Sequence, residues 1–503
     1  MTETVLVVGG GIAGMCAGMA LARRGFPVTI LERDSPPPEG DADKAFFEWP
    51  RRGASQFRHP HAFLGLMCNL LEENYPDLLE AFYAAGARRM GFQEMLSPEL
   101  MSKYQAQPGD EKLWVLMSRR STIETVLRRY VAAFPGISIL NGISIDGLIT
   151  EQVDGRTVAR GVRVRRDCVQ RFGTEIRADV IVDACGRTTR FPSWLAEAGV
   201  TVPDELHDAE IVYYTRHYRL KPGVSEPPRT GKDRSAGDLG YIKFGVFPAD
   251  NGHFALIVCV HNDETELRAA IKDGPTFDAI CRSIPGLLPW IAEDKAVATT
   301  HPFGIGGICA QWRHYVVEGT PLVHNFFAIG DAAIRTNPLY GRGCSIGILH
   351  AHMLADVLAG NADAHSRAIV FDRRTEDELR PIYQASLSED RNGIRRAIAS
   401  RQGLVMEANK GGLKKWLGLA FGDAIAAAAR YNLHVMRGMM RTVNLLEKPG
   451  AFLRDRRTQG IICLYMLRGR GRNAVARIAR GPTRTETLAL IAAGQAHRNV
   501  DAA

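Results

Sequence analysis

Apolar residues follow three patterns along this 503-residue chain. The first is the short unbroken run. Val5–Val8 (VLVV) is mostly β-branched and predicts a fully buried parallel strand. Met15–Arg24 is rich in helix formers and ends at Gly25, and Phe26–Leu31 (FPVTIL) predicts a second strand. Similar runs recur at Ala178–Asp183 and Phe326–Ile329, each followed by a glycine turn. The second pattern is alternation. In Ala209–Leu220 (AEIVYYTRHYRL), Ile211, Tyr213, Thr215 and His217 share one face, and Val212, Tyr214, Arg216 and Tyr218 the other. Tyr241–Pro248 and His253–Val260 extend a strand-rich region to about Thr320, predicting an antiparallel sheet able to cover a pocket. Ile137–Val164 predicts a meander beside the main sheet, turning at Asn141-Gly142 and Asp154-Gly155. The third pattern is helical spacing: Ala62–Asn74, a helix from Ser118 (its cap) to Ala133, Ser345–Leu358, and almost everything after Val370. Asp34–Asp43 and Lys44–Arg58 read as loop and irregular chain, and Pro76–Gln107 as an excursion, helical and then irregular.

These elements predict an α/β fold. A Rossmann-like domain occupies residues 1–200, with an excursion at about 76–110, and resumes at 321–400. An antiparallel-sheet substrate domain is inserted at 201–320, and a helical segment closes the chain at 401–503.

Composition narrows the class. At 46% hydrophobic and 23% charged residues the chain is globular. No run of 18 uncharged apolar residues predicts a membrane span, and the first strand begins too early for a secretory signal. The nine cysteines are odd in number, scattered and without a CxxC pair, so neither a zinc site nor a disulfide framework is expected. A reducing, cytoplasmic location follows. The net charge of +8 is uneven: residues 401–503 hold 18 Lys/Arg against 6 Asp/Glu, and the rest is slightly acidic. No nucleic-acid-binding motif accompanies that charge, so no nucleic acid is expected as a partner. Trp416–Ala429 is apolar, interrupted by Asp423 and flanked by Lys414, Lys415 and Arg430. It predicts a helix lying in a lipid interface, within a segment that also caps the pocket.

Three stretches carry chemistry. Gly9-Gly10-Gly11-Ile12-Ala13-Gly14 fits G-x-G-x-x-G between strand and helix. Gly9 makes the tight turn, Gly11 admits a pyrophosphate, and Gly14 lets helix and strand pack closely. The helix start offers free N–H groups and a positive dipole to phosphates. Glu32, 18 residues after Gly14, is placed to take ribose hydroxyls. The second stretch is Asp183-Ala184-Cys185-Gly186-Arg187, a buried strand ending in a carboxylate and a glycine turn. In the third, Gly330-Asp331 ends a strand where open α/β sheets bind ligands, and Pro338, Gly341 and Gly343 form a loop of close backbone approach. Arg120 near a helix start calls for an anion. His59-Pro60-His61 reads either as a polar helix start or as a loop facing substrate or flavin. It lacks a third metal ligand, and no metal is expected.

Together the three stretches resemble the flavin monooxygenase superfamily with the para-hydroxybenzoate hydroxylase fold, over about residues 1–390. Arg58-His59-Pro60-His61 and Asn337-Pro338-Leu339-Tyr340-Gly341 look like its epoxidase-like branch. The resemblance implies FAD, with Gly9, Gly11, Ile12, Ala13 and Gly14 at the pyrophosphate and Glu32 at the ribose. It implies Arg33 and Arg120 on the adenosine-phosphate side, and Gly330 and Asp331 at the ribityl chain and pyrophosphate. Pro338, Gly341, Arg342 and Gly343 would lie against the isoalloxazine. Asp183 and Gly186 belong to a motif implicated in both FAD and NAD(P)H binding. With one G-x-G-x-x-G, electrons come from transiently bound NADH or NADPH or from a partner flavin reductase. The implied reaction passes one atom of O2, through a peroxyflavin, to a small apolar organic substrate by epoxidation or hydroxylation. His61 is the candidate catalytic side chain, and Tyr213 and His217 are candidates for substrate contact. A flavin-dependent reductase or dehydrogenase of unsaturated lipid-like substrates is the alternative. A halogenase is disfavoured by the missing WxWxIP pattern.

Overall fold

A computed structural model describes residues 2–228, 233–360, 363–404, 412–477 and 479–501. Its central sheet contains β1 (Val5–Val8), β2 (Val28–Glu32), β3 (Ile137–Asn141), β4 (Val180–Asp183) and β5 (Phe326–Ala328). The order is β5-β4-β1-β2-β3, parallel throughout. Both faces are covered, which is why the strands read as unbroken apolar runs. Val5 and Val7 face one core cluster and Leu6 and Val8 the other. The first cluster is closed by α1 (Ile12–Ala22), α2 (Arg120–Ala132) and α3 (Gly343–Ala359). The second is closed by the meander, by Phe191 and Trp194, and by α4 (Ala364–Arg401), through Leu379, Ile382, Tyr383 and Leu387.

The inserted sheet is antiparallel. Ile211–Leu220 and His253–His261 pair in full register, and Ile242–Pro248, Ala236–Asp238, Ala296–Ala298 and Phe303–Ile305 complete it. Its two faces divide as alternation requires. Val212, Tyr214 and Tyr218 pack outward on Phe277, Ile280 and Trp290. Ile211 and Tyr213 form an inner cluster with Ile257, Ile305 and Leu339.

Several local readings are corrected. Ile137–Asn141 is not part of the meander; it pairs with β2 from Val28↔Ile137 to Glu32↔Asn141 as the edge of the main sheet. The meander is Ile145–Val153, Arg156–Val164 and Glu175–Arg177, with Asp154 (φ 51°) and Gly155 (φ 74°) at the first turn. Lys44–Arg58 is not wholly irregular: a helix spans Ala42–Glu48, capped by Asp41, whose carboxylate accepts from the Lys44 amide at 3.0 Å. The helix read at Ala62–Asn74 begins only at Gly65. Pro60–Phe63 is instead a strand, because Trp114–Arg119 lies alongside it. Ser118 sits inside that second strand and caps nothing; its hydroxyl donates to Asp250 (3.1 Å). The excursion is also partly regular, with a helix at Pro76–Ala84 and a strand at Arg88–Gly91 paired to Trp114–Met117.

Beyond α4 lie α5 (Gly412–Tyr431), α6 (Leu433–Val443), α7 (Arg456–Leu467), α8 (Arg470–Arg477) and α9 (Arg484–Asp501). On α6, the buried Arg437 pairs with Asp110 at 2.6 Å, and Asn444 just after it accepts from the Gly65 amide at 2.8 Å. On α9, Thr487 meets the Tyr241 hydroxyl at 2.7 Å. α6 is thus tied to the excursion and to the helix after Phe63, and α9 to the antiparallel sheet, and these helices do not cap the pocket: no described residue beyond Cys344 lines the cavity set out below.

Candidate active site

A connected cavity of about 560 Å³ runs from the β1–α1 turn to the inner face of the antiparallel sheet. Its first end is built by backbone. Gly9 has φ 111°, and a Cβ there would lie 2.4 Å from the Ala184 carbonyl oxygen. A Cβ on Gly14 would lie 1.9 Å from the Gly9 carbonyl oxygen. Gly14 therefore shapes the turn from beneath and does not itself line the cavity. Gly11 has nothing within 4 Å of its would-be Cβ, so the space beside it is open to a ligand. It precedes α1 without a side-chain cap, and Ile12 and Ala13 line the cavity with their first-turn amides.

Glu32 ends β2 at this rim. Its carboxylate accepts from the amides of Gly10 (3.1 Å) and Asp34 (2.9 Å). Arg51 Nη1 stands 3.0 Å and Arg128 Nη1 3.3 Å away. Arg51 also reaches Asp34 (2.7 Å), Glu124 (2.6 Å) and the Gly10 carbonyl (3.0 Å). Glu124 in turn holds Arg120 at 2.5 Å. This is the anion that Arg120 called for: a carboxylate one turn along its own helix. Burial alone would raise the Glu124 carboxyl, but Arg120 and Arg51 outweigh it and hold it at about 2. Arg120 and Arg33 still line the cavity, Arg33 half-exposed and donating to the Arg52 carbonyl at 2.8 Å. Sequence reasoning missed Arg51, Glu124 and Arg128. A signal existed, because Arg120, Glu124 and Arg128 fall at i, i+4 and i+8, one face of α2.

Asp183 is fully buried and is not in the cavity wall. Its carboxylate faces its own turn, accepting from the Cys185 amide (2.9 Å) and the Thr189 hydroxyl (2.6 Å). It thus shapes the turn that sets Gly186 (φ 67°) and Arg187 in the wall. Burial pushes the Asp183 carboxyl up to about 6 despite those two donors. A carboxyl raised on folding adds stability below its unfolded value and loses that contribution as pH rises through the folded value. In the ligand-free protein, the stability of Asp183→Asn relative to the parent is therefore expected to rise by roughly 2–3 kcal/mol between about pH 4 and about pH 7. Denaturant titrations at the two pH values check this; an unchanged gap would refute it.

Asp331 follows β5 and lines the middle of the cavity, where burial raises its carboxyl against the pull of Arg335, Arg120 and Arg187. Gly330 (φ 55°) lies against Ala13, and its amide donates to His350 Nδ1 at 3.2 Å. That bond leaves the proton on Nε2, which meets the Thr375 hydroxyl at 3.0 Å. His350 is a positioning residue with no local sequence signal. Pro338, Gly341 and Gly343 line the cavity, whereas Arg342 turns away to Ser386 (2.5 Å) and Glu389 (2.9 Å) on α4. Arg342 anchors the loop instead of facing the ligand space. Asp390, also on α4, accepts from Asn337 (2.7 Å) and Tyr340 (2.9 Å).

At the far end Tyr213, Phe247, Ile257, Ile305, Ile308 and Leu339 line the wall. His59 and His61 line it as well, His59 bonded to the Thr215 hydroxyl (2.8 Å) and His61 Nδ1 to the His59 carbonyl (2.9 Å). Burial is the main force lowering both imidazoles to about 3, so both are neutral at neutral pH. Burial likewise keeps the Tyr213 phenol protonated. His217 does not line the cavity. Its Nε2 lies 3.0 Å from the Arg58 carbonyl and its ring packs on Phe46, which seats the segment before Pro60 on the sheet. Among the described residues no group of three or more His, Cys, Asp or Glu could hold a metal ion.

The cavity has the parts a dinucleotide needs: a carboxylate at one end, free amides over an open glycine, a second carboxylate, and a loop that can flank a flat ring. Comparison with known proteins agrees. The family model for FAD dependent oxidoreductases matches residues 4–359. Protein Rv3254 of Mycobacterium tuberculosis is 27% identical over 415 residues, 77% of this chain and 80% of that protein. Kynurenine 3-monooxygenase of Xanthomonas oryzae pv. oryzae is 28% identical over 149 residues, 29% of this chain and only 31% of that enzyme. Among solved structures, PqsL of Pseudomonas aeruginosa, described as a probable FAD-dependent monooxygenase, superposes with a TM-score of 0.54 at 17% identity. The superposition covers 79% of this chain and 96% of PqsL and shows a shared fold. The glycine turn, Glu32, Asp331 and the Pro338–Gly343 loop all fall inside the matched residues, and this chain belongs to the FAD-dependent oxidoreductases.

Proposed function

We propose that this protein is an FAD-dependent monooxygenase acting on a small apolar organic substrate, by epoxidation or hydroxylation. One observation carries the reading. The cavity that begins at the pyrophosphate amides continues, past Pro338–Gly343, into a compartment walled by Tyr213, Phe247, Ile257, Ile305, Ile308 and Leu339. Cofactor ring and substrate would share one space. Bound FAD supplies the oxygen activation. The chain's own residues do the rest. The apolar wall orients the substrate and excludes water. Asn337 and Tyr340, held by Asp390, fix the loop against which the ring would lie. His59 and His61, lowered to about 3, are poor proton acceptors, and Tyr213 keeps its own proton, which suits a substrate that needs no base, such as an alkene. Monooxygenases among the relatives support the reading, and the alternative of a reductase or dehydrogenase of lipid-like substrates fits the same wall. Electrons would come from NADH or NADPH, or from a partner flavin reductase.

Oxygen uptake separates the two readings. The purified holoenzyme is screened with both nucleotides, with and without added flavin reductase, against alkenes, phenols and polyketides under ¹⁸O-labelled O2. A substrate is expected to stimulate O2 consumption and to gain a single labelled oxygen atom, the other leaving as water. Turnover of equal rate without oxygen would overturn the proposal in favour of the reductase.

A further inference from the structure

We infer that the first half of α5 is a docking surface for an anionic lipid bilayer. The sequence suggested an interfacial helix over Trp416–Ala429, and the structure divides that stretch. Its second half is packed: Ala424, Ala427, Ala428 and Ala429 are buried with Val435 of α6 and Ile462 and Tyr465 of α7. The first half of α5 buries only Ala420. Leu413 is 72% exposed, and Trp416, Leu417 and Phe421 are exposed as well. These four fall at i, i+3, i+4 and i+8, a single stripe along the helix.

The charged residues along this half of α5 have one sign. Lys414 and Lys415 are exposed beside it, and no acid occurs from Gly412 to Gly422. Asp423, which interrupts the apolar run in the sequence, is turned inward at 3% exposure and paired with Arg470 at 3.1 Å. That pair also sets the end of α7 beside the middle of α5. There Leu464 (64% exposed) and Leu467 (84% exposed) add apolar surface, followed by the exposed Arg468.

Geometry and charge select the occupant. At about 1.5 Å per residue, Leu413 to Phe421 spans roughly 12 Å, far short of a bilayer core, so the helix would lie flat with the stripe in the headgroup boundary. No helix among the described residues is long and apolar enough to cross a membrane. Lysines at the margin can keep their stems in the apolar layer and their ammonium groups at the phosphates. A second copy of the chain is a poorer occupant, because residues 401–503 carry 18 Lys/Arg against 6 Asp/Glu and two such surfaces repel.

The test uses the full-length, FAD-loaded protein with vesicles of phosphatidylcholine, with or without phosphatidylserine. Sedimentation with the serine-containing vesicles at low salt is expected, falling at least tenfold at high salt or with phosphatidylcholine alone. Lys414→Glu/Lys415→Glu should weaken binding by more than tenfold, since each lysine near an anionic surface contributes about a factor of five. Trp416→Ser/Leu417→Ser should weaken it by about tenfold or more, because it removes exposed apolar surface. Flavin absorbance and melting temperature should be unchanged in both, as the four positions are exposed. Absence of binding to anionic vesicles at low salt would overturn the inference. So would serine-containing and pure phosphatidylcholine vesicles binding equally, or full binding by Trp416→Ser/Leu417→Ser. A concentration-dependent dimer abolished by that same variant would assign the face to a second copy and overturn it too.

Discussion

Asp331→Ala is expected to give a folded but nearly colourless protein. Asp331 stands at the end of β5 in the cavity wall, between the amides of α1 and the Pro338–Gly343 loop, where it can accept hydrogen bonds from the hydroxyls of the flavin's polyol chain. Hydrogen bonds to a charged group contribute roughly 1.5–3 kcal/mol each, so losing even one weakens FAD binding about tenfold to a hundredfold. The fold should not suffer. Burial already raises this carboxyl, so its ionised form is costly when no ligand is bound, and the alanine variant removes that cost. The flavin-to-protein absorbance ratio after gel filtration reads the first effect, and the melting temperature of the FAD-free protein reads the second. A variant that keeps one FAD per chain would refute the assignment of Asp331 to the flavin.

The largest loss of stability is expected at Arg51. Its guanidinium uses Nε on Glu124, Nη1 on Asp34 and Glu32, and Nη2 on the Gly10 carbonyl, with its side chain 1% exposed. With Arg120 and Arg128 it balances three buried carboxylates. Arg51→Met leaves those carboxylates short of one cation, and breaking such a buried network costs about 3–5 kcal/mol. Lysine should rescue little, because a point charge cannot make three divergent contacts. The loss should be nearly independent of salt, unlike that of a surface pair. Denaturant titration of the FAD-free protein checks this. A loss below about 1 kcal/mol would show that the cluster does not hold the cavity rim around Glu32 together.

What was legible in the sequence was local. Val5–Val8, the glycine turn and Glu32 form one continuous βαβ unit, and each residue's part follows from its neighbours. Asp331 was legible because a strand end and a glycine loop flank it. What was not legible depended on partners far along the chain. Pro60–Phe63 leads into a helix, yet it is a strand because Trp114–Arg119 pairs with it. Ile137–Asn141 reads as a strand, but only β2 decides which sheet it joins. The same holds for side-chain direction. Alternation put His217 and Tyr213 on one face of the sheet, yet only Tyr213 reaches the cavity, because Phe46 and the Arg58 carbonyl cover His217. Arg342, inside the Pro338–Gly343 loop, points to α4 because Glu389 and Ser386 wait there.

The order of the central sheet also has a consequence during synthesis. Val5 of β1 pairs with Val180 of β4, and Ile181 of β4 with Phe326 of β5. At about 5–20 residues per second, β5 leaves the ribosome roughly 15–65 s after β1. For that interval the newborn chain holds the glycine turn and Glu32 but lacks Asp331, so it cannot complete the cavity wall. Once β4 has emerged, its unpaired edge of Val and Ile stays open for roughly 7–30 s until β5 arrives, the kind of surface that recruits holding chaperones or aggregates. Colour would then arrive late in synthesis, once Asp331 and the Pro338–Gly343 loop have emerged.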